Sequence, residues 1–267
     1  MQTKALSASR VPNPRLLAKR TSTKLLESFA AAQNKCLDLV HRPVMPDRID
    51  FPELNEVLLQ THSKKTDIND HLLTLFIESL SLQPSLIVEL GVRGGESTSA
   101  LERAARLCNS VLLSVDLDDC EHVSGYEKRY FIKSDDVALA ERFPQWCKEH
   151  ELRTAVDVLF IDTSHEFEHT TQEIQSWFPL LADHCKVFFH DTNMSRVFRR
   201  RDGSIGVGWN NQRGVIAAVE NYLNCHLDEH HDFTTIVGDW LVRHSASCNG
   251  MTVLERWRKS ASQRTGV

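Results

Sequence analysis

The run Val88-Glu89-Leu90-Gly91-Val92-Arg93-Gly94-Gly95-Glu96-Ser97-Thr98 starts as an apolar strand, turns on glycines and continues into a helix. Ser85–Leu90 is short and almost wholly apolar, the pattern of a parallel strand buried on both faces. Glycines belong in such a turn where a ligand or a second backbone must come close. The spacing is E-x-G-x-x-x-G from Glu89 to Gly95. It is not the dinucleotide fingerprint, because Val92 and Arg93 follow Gly91, and no G-K-[ST] follows to make a Walker A loop.

Further along, the same alternation repeats. A helix is predicted over Glu96–Cys108, and a strand over Val111–Asp116 that ends in an acid. A shorter strand, Tyr130–Lys133, precedes a helix over Val137–His150. A strand over Ala155–Asp162 again ends in aspartate, Glu168–Leu181 is helical, and Cys185–His190 is a strand followed by Asp191. Alternating strands and helices imply an α/β fold with a doubly wound, mostly parallel sheet. Ligands of such sheets bind outside the carboxyl ends of the strands. Two late strands, Phe233–Val237 and Met251–Leu254, bring the expected total to seven, with a helix over Gly214–Cys225 before them.

Residues 192–213 break the rhythm and carry Arg196, Arg199, Arg200 and Arg201. A long loop after a strand end is where lids sit; its arginines read as a solvated, flexible segment rather than a substrate clamp. At the other end, apolar residues at helical spacing predict a helix from Arg15 to Val40. Pro43, Pro46 and Pro52 mark a linker, and a second helix is expected over Asp67–Leu82 with Thr66 as its N-cap. The expected organisation is a basic arm, helix and linker over 1–65, then one domain over 66–260 with its lid at 192–213.

The chemistry gathers at strand ends. Asp116 lies 25 positions after Gly91, placed to accept hydrogen bonds from a ribose diol. In Ser134-Asp135-Asp136 either acid suits a helix N-cap. Phe160-Ile161-Asp162-Thr163-Ser164-His165 and Phe188-Phe189-His190-Asp191 end adjacent parallel strands. Two carboxylates and an imidazole converging there need a compensating charge, and a divalent cation supplies it. Carboxylate oxygens with one nitrogen suit Mg²⁺ or Mn²⁺ and admit Fe²⁺.

The glycine turn resembles motif I of class I S-adenosylmethionine-dependent methyltransferases. That resemblance implies that Glu89, Gly91 and Gly95 hold the methionine part of the cofactor, that Ser97 binds its carboxylate, that Asp116 binds the ribose hydroxyls and that Asp135 contacts adenine. The second pair of motifs resembles a subgroup containing cephalosporin-hydroxylase-like proteins and the rhamnosyl and macrolide-sugar O-methyltransferases. It implies Asp162, His190 and Asp191 as Mg²⁺ ligands and His165 as the base. His190 departs from that pattern, in which the pair after the fifth strand is usually two acids. The resemblance runs from about Thr66 to Arg256 and implies a class I methyltransferase-like Rossmann fold with a helical N-terminal extension. The implied activity is metal-assisted methyl transfer to a hydroxyl of a small molecule of sugar or secondary-metabolite type. Two other readings stand beside it: an Fe²⁺ oxygenase, and a non-catalytic cofactor-binding subunit.

Composition bounds the partners. Hydrophobic residues make up 41 % and charged residues 25 % of 267, ordinary for a globular chain. No run reaches the roughly 20 apolar residues of a membrane span. The seven cysteines are scattered without a C-x-x-C, which reads as a reducing, cytoplasmic setting. The net charge is −5, yet residues 1–48 hold nine basic and three acidic residues. An acidic body excludes nucleic acid as the main partner. The basic arm has the composition of an organellar transit peptide, but its apolar pattern continues past Lys24, which favours an arm packed on the body or on a second copy in a homodimer. His169 reads as a solvated helical residue, and His226, His230 and His231 as a His-rich stretch that lacks a cysteine at zinc-site spacing and so reads against a metal site.

Overall fold

A computed structural model describes residues 14–40 and 50–256. Residues 1–13, Pro43 and Pro46 lie outside the described residues, and so does the first half of residues 1–26, the stretch with the composition of a transit peptide. The elements run α1 (Pro14–Val40), α2 (Pro52–Ser63), α3 (Leu72–Leu82), β1 (Leu86–Leu90), α4 (Glu96–Cys108), β2 (Val111–Asp116), β3 (Arg129–Lys133), α5 (Asp136–Glu149), β4 (Val156–Ile161), α6 (Phe167–Trp177) and β5 (Leu181–His190). They continue with β6 (Val197–Arg199), β7 (Ile205–Val207), α7 (Gly214–Leu223), β8 (Phe233–Val237), β9 (Trp240–Ser245) and β10 (Met251–Arg256).

Eight strands form one sheet in the order β3-β2-β1-β4-β5-β10-β9-β8. The first five run parallel, and β10, β9 and β8 each pair antiparallel to their neighbour. Strand order reverses at β1, which lies between β2 and β4, so the crevice above β1 and β4 is the switch point where such sheets take ligands. Eight strands replace the expected seven because β9 completes a hairpin with β8 across Gly238 and Asp239. Trp240, Val242 and His244 point inward while Leu241, Arg243 and Ser245 do not, a period of two that the polar residues obscure in the sequence.

Each sheet face carries its own core. Leu86, Val88 and Leu90 of β1 pack with α5, α6 and α7 on one side, around Phe143 and Trp177. Ile87 packs with α2, α3 and α4 on the other, around Leu72 and Phe76. The alternation of β1 sends Glu89 to this second face, where only a polar side chain with partners is tolerated.

Three expectations near the N-terminus change. Pro52 opens α2 at its first position instead of marking a linker, since a helix needs no N–H there. The second helix begins at Leu72 after a 3₁₀ turn over Asn69–His71, because Asp67 is drawn away to Arg93. The Thr66 hydroxyl caps nothing and is buried without a partner. Helix α1 forms as expected and packs on β7; the Asn34 amide both accepts from Ile205 N at 2.7 Å and donates to its carbonyl at 2.9 Å. The lid is ordered, with β6 and β7 as an antiparallel ribbon. Arg200 is buried within it, stacked over Phe198, and donates to the carbonyls of Thr66 and Lys65. Among the described residues no helix is long and apolar enough to cross a membrane, and all seven cysteines are free thiols.

Candidate active site

The glycine turn is shaped by backbone proximity. Gly91 sits at φ +86°, and a Cβ there would lie 2.0 Å from the Asp162 carbonyl oxygen. Gly95 sits at φ +79°, with Val123 2.9 Å from where its Cβ would stand. Both positions require glycine. The turn is tied to the next strand end. Asp116 Oδ2 accepts from the N–H groups of Val92 and Arg93 at 2.8 and 3.0 Å, and Oδ1 accepts from Asp118 N at 2.9 Å. Burial pulls the Asp116 carboxyl up, but these donors outweigh it and hold it below the ordinary value.

A cavity of about 480 Å³ opens above β1, β2 and β4. Gly91, Ser97, Asp116, Asp135, Asp162 and His165 all line it, which brings most of the expected cofactor residues to one surface. Gly95 forms the turn just before α4. Glu89 is a correction. It is wholly buried below the turn, accepting from Ser97 Oγ (2.7 Å), Thr98 Oγ1 (2.9 and 3.0 Å) and Ser114 Oγ (2.7 Å). Burial raises its pKa despite these donors. Its contribution is to fix Ser97 and the turn, not to line the cavity. Asp135 caps α5, accepting from Ala138 N at 2.8 Å, while also lining the cavity.

A second cavity of about 460 Å³ lies under the lid, lined by Lys65, Asp67, Met194, Phe198, Trp209 and Asn249 among others. Arg93 and His165 line both cavities. Arg93 is held there by a bidentate pair with Asp67, at 2.7 and 3.1 Å. No sequence pattern announced this second cavity, because its walls come from the lid, from the segment before α3 and from the turn before β10.

At the wall between the cavities, Asp162, His165 and Asp191 offer donor atoms that all lie within 4.8 Å of one another. His165 Nδ1 is 3.0 Å from Asp191 Oδ2 and 3.7 Å from Asp162 Oδ1. Both His165 and Asp191 adopt positive φ, +61° and +57°, a conformation that costs about 1–3 kcal/mol and gathers at functional sites. Gly214 makes the His165 loop possible: a Cβ there would meet the His165 carbonyl oxygen at 2.4 Å. Burial lowers the His165 pKa, but Asp191 and then Asp162 reverse this and leave it raised.

His190 is the second correction. It is buried behind the acids, with Nδ1 3.2 Å from Asp162 Oδ1 and Nε2 3.2 Å from the Asp67 carbonyl. Both ring nitrogens are therefore engaged, and His165 takes its place in the group able to hold a cation. Burial disfavours the charged imidazole of His190, yet Asp191 and Asp162 hold its pKa well above the ordinary value. His190 thus supplies part of the positive charge that the two acids require. Asp191 is buried but held well below the usual carboxylate range by His190 and His165. Its Oδ1 is buried without a partner. Each acid spends one oxygen on the histidines and keeps the other, so the set fits a hard cation that prefers oxygen.

Of the other histidines read from the sequence, His169 departs from its expected place. His169 is not simply solvated: Nε2 lies 3.1 Å from Asp136 Oδ1 and 3.8 Å from Glu173 Oε1. His226 and His231 face solvent, paired with Glu220 and Asp228. Arg196 donates to Ser22 Oγ on α1, and Arg201 to Ser245 Oγ, so these two lid arginines brace the lid.

Residues 88–192 match the family model of a methyltransferase domain. The matched segment is similar to a methyltransferase domain. It runs from within β1 to just past His190 and Asp191 and so contains the glycine turn, Asp116 and the acid–histidine cluster, but not the lid. Among solved structures, the MycE methyltransferase from the mycinamycin biosynthetic pathway, in complex with Mg, SAH and mycinamycin VI, is 18 % identical. The match covers 79 % of this chain and 55 % of that one at a TM-score of 0.51. MycE with Mg and SAH is 16 % identical, over 81 % and 57 %, at 0.50. A methyltransferase from Geobacter sulfurreducens is 15 % identical, over 85 % and 97 %, at 0.47. The two MycE matches establish the fold as class I methyltransferase-like. The chain spans about half the length of the MycE chain it matches. No curated protein matches the chain.

Proposed function

We propose that the methyltransferase domain transfers a methyl group from S-adenosylmethionine to a hydroxyl of a small molecule of sugar or secondary-metabolite type, assisted by a divalent cation. The observation that carries this reading is the position of His165. It stands on the wall shared by the glycine-turn cavity and the cavity under the lid, with its Nδ1 tied to Asp191. A methyl donor on one side and an acceptor on the other would meet there.

Bound S-adenosylmethionine supplies a sulfonium methyl carbon open to in-line attack. The glycine turn and Asp116 would hold that donor rigid, and positioning is the larger share of catalysis for such a displacement. Asp162 and Asp191 would hold Mg²⁺, which when bound lowers the pKa of a coordinated hydroxyl. Asp191 keeps the His165 ring oriented and directs its free Nε2 to the acceptor. As the oxygen–carbon bond forms and the carbon–sulfur bond breaks, the acceptor proton passes to His165 Nε2. His190, locked between Asp162 and the Asp67 carbonyl, fixes the angle of Asp162. The lid, anchored by α1 through Asn34, walls the acceptor side. MycE, whose solved complex holds Mg, SAH and mycinamycin VI, supports this reading as a fold analogue.

The test is transfer of an isotopically labelled methyl group from S-adenosylmethionine to a panel of hydroxylated sugars, polyketides and phenols with Mg²⁺ present. A product heavier by one methylene supports the proposal. Incorporation of an oxygen atom, or calorimetry showing no binding of S-adenosylmethionine with or without EDTA, overturns it.

A further inference from the structure

A second acid–histidine cluster lies outside the site just described. Asp136 in the first turn of α5, and His169 and Glu173 one turn apart on α6, bring one donor atom each within 4.8 Å of one another. His169 Nε2 is 3.1 Å from Asp136 Oδ1, and Thr163 Oγ1 donates to Glu173 Oε1 at 2.7 Å. Those two contacts use one oxygen of each acid. The other oxygens, Asp136 Oδ2 and Glu173 Oε2, are buried and have no partner. Glu173 is wholly buried and Asp136 nearly so. Two buried carboxylates with unpartnered oxygens beside one imidazole need either a cation or a shared proton between them. Asp136 also sits at the N-terminus of α5, whose dipole favours it as an anion. The cluster is reached through His169 and Asp136, which line the glycine-turn cavity.

We infer that Asp136, His169 and Glu173 form a second divalent-cation site. One imidazole nitrogen and two carboxylate oxygens suit Mn²⁺ or Mg²⁺ and admit Zn²⁺ and Fe²⁺. The two sites flank the β4–α6 loop: Asp162 and His165 serve one, while Thr163 reaches the other through Glu173. A cation at the second site would hold α5 to α6 beside the cavity and set the position of the Asp135 end of it. The inference does not depend on which acceptor is methylated.

The test is Mn²⁺ titration of the EDTA-stripped protein, followed by loss of the free-ion paramagnetic resonance signal. The protein carrying Asp162→Asn and Asp191→Asn is expected to keep one equivalent, and adding His169→Ala and Glu173→Gln to remove it. Near-ultraviolet dichroism, with Trp177 one turn beyond Glu173, reports whether each variant is folded. Should the Asp162/Asp191 variant not fold, the comparison of Glu173→Gln alone with the parent protein reads the same quantity, with one equivalent fewer expected. If the Asp162/Asp191 variant is folded and binds no Mn²⁺, a proton shared between Asp136 and Glu173 closes the cluster and the inference is wrong. Equal binding with and without the His169 and Glu173 changes also overturns it.

Discussion

Replacing Gly91 by alanine tests the site and the fold together. The new Cβ would stand 2.0 Å from the Asp162 carbonyl oxygen and 2.7 Å from its carbon, against backbone that cannot swing aside. Relieving the contact moves the end of β4 by about 1 Å, since real Cβ contacts lie beyond 3.0 Å. The φ of +86° adds a left-handed penalty of about 1–2 kcal/mol for any residue with a Cβ. Overpacking costs about 1–3 kcal/mol more, so the total is about 2–5 kcal/mol. For a chain of this size each kcal/mol lowers Tm by about 2–4 °C, so the expected drop is on the order of 10 °C. Because the residue that moves is Asp162, turnover should fall by about 100-fold even where the protein is folded. The assays are calorimetric unfolding and methyl transfer below the variant's Tm. Gly125→Ala is the control: nothing lies within 4 Å of a Cβ there, and the change should be neutral. A Gly91→Ala protein that melts with its parent and keeps full turnover would refute the close approach of β1 and β4.

Other outcomes follow from named contacts. His165→Gln should lower kcat by about 100-fold or more while the Kd for S-adenosylmethionine measured by calorimetry stays within a few-fold, as the proposed role of base requires; a collapse of cofactor binding instead would make His165 a cofactor contact and overturn that role. Asn34→Ala removes both hydrogen bonds to Ile205 and should cost about 1–3 kcal/mol, with faster amide hydrogen exchange confined to residues 197–207. His71 is wholly buried; burial lowers its pKa from 6.5 to about 3, so it is neutral in the fold and charges on unfolding. Its contribution is whole above pH 6.5 and lost as pH falls from 6.5 toward 3, about 2 kcal/mol by pH 5. His71→Gln, which keeps a donor for the Ser247 carbonyl, should flatten that part of the stability–pH curve measured by urea unfolding.

The parallel half of the sheet was legible because each strand is a short apolar run that ends in a chemical signal: Glu89 before the glycines, Asp116, Asp162 and His190-Asp191. Strand ends on one edge of a sheet must converge, so the cluster could be foreseen without coordinates. What could not be foreseen was which nitrogen faces which oxygen. His190 and His165 are equally plausible ligands on spacing alone, and only the engagement of both His190 nitrogens separates them. Glu89 was misplaced for a related reason: strand alternation sends it to the α4 face, but a motif read linearly hides the face. Helix α2 was hidden because proline both ends and begins helices, and Pro52 does the second. The order in the lid escaped because its anchors, Asn34 and the carbonyls of Lys65 and Thr66, lie more than a hundred positions away.

The pair of hydrogen bonds between Asn34 and Ile205 joins residues 171 positions apart. It makes the arm and the lid one exchangeable part. The segment from β1 to β5 could keep the proposed donor site while this joined part is replaced, and a graft that carries the lid without its helix would leave the ribbon unanchored. Under the proposed function, changing the acceptor is therefore a two-segment transplant of α1 together with the ribbon it anchors.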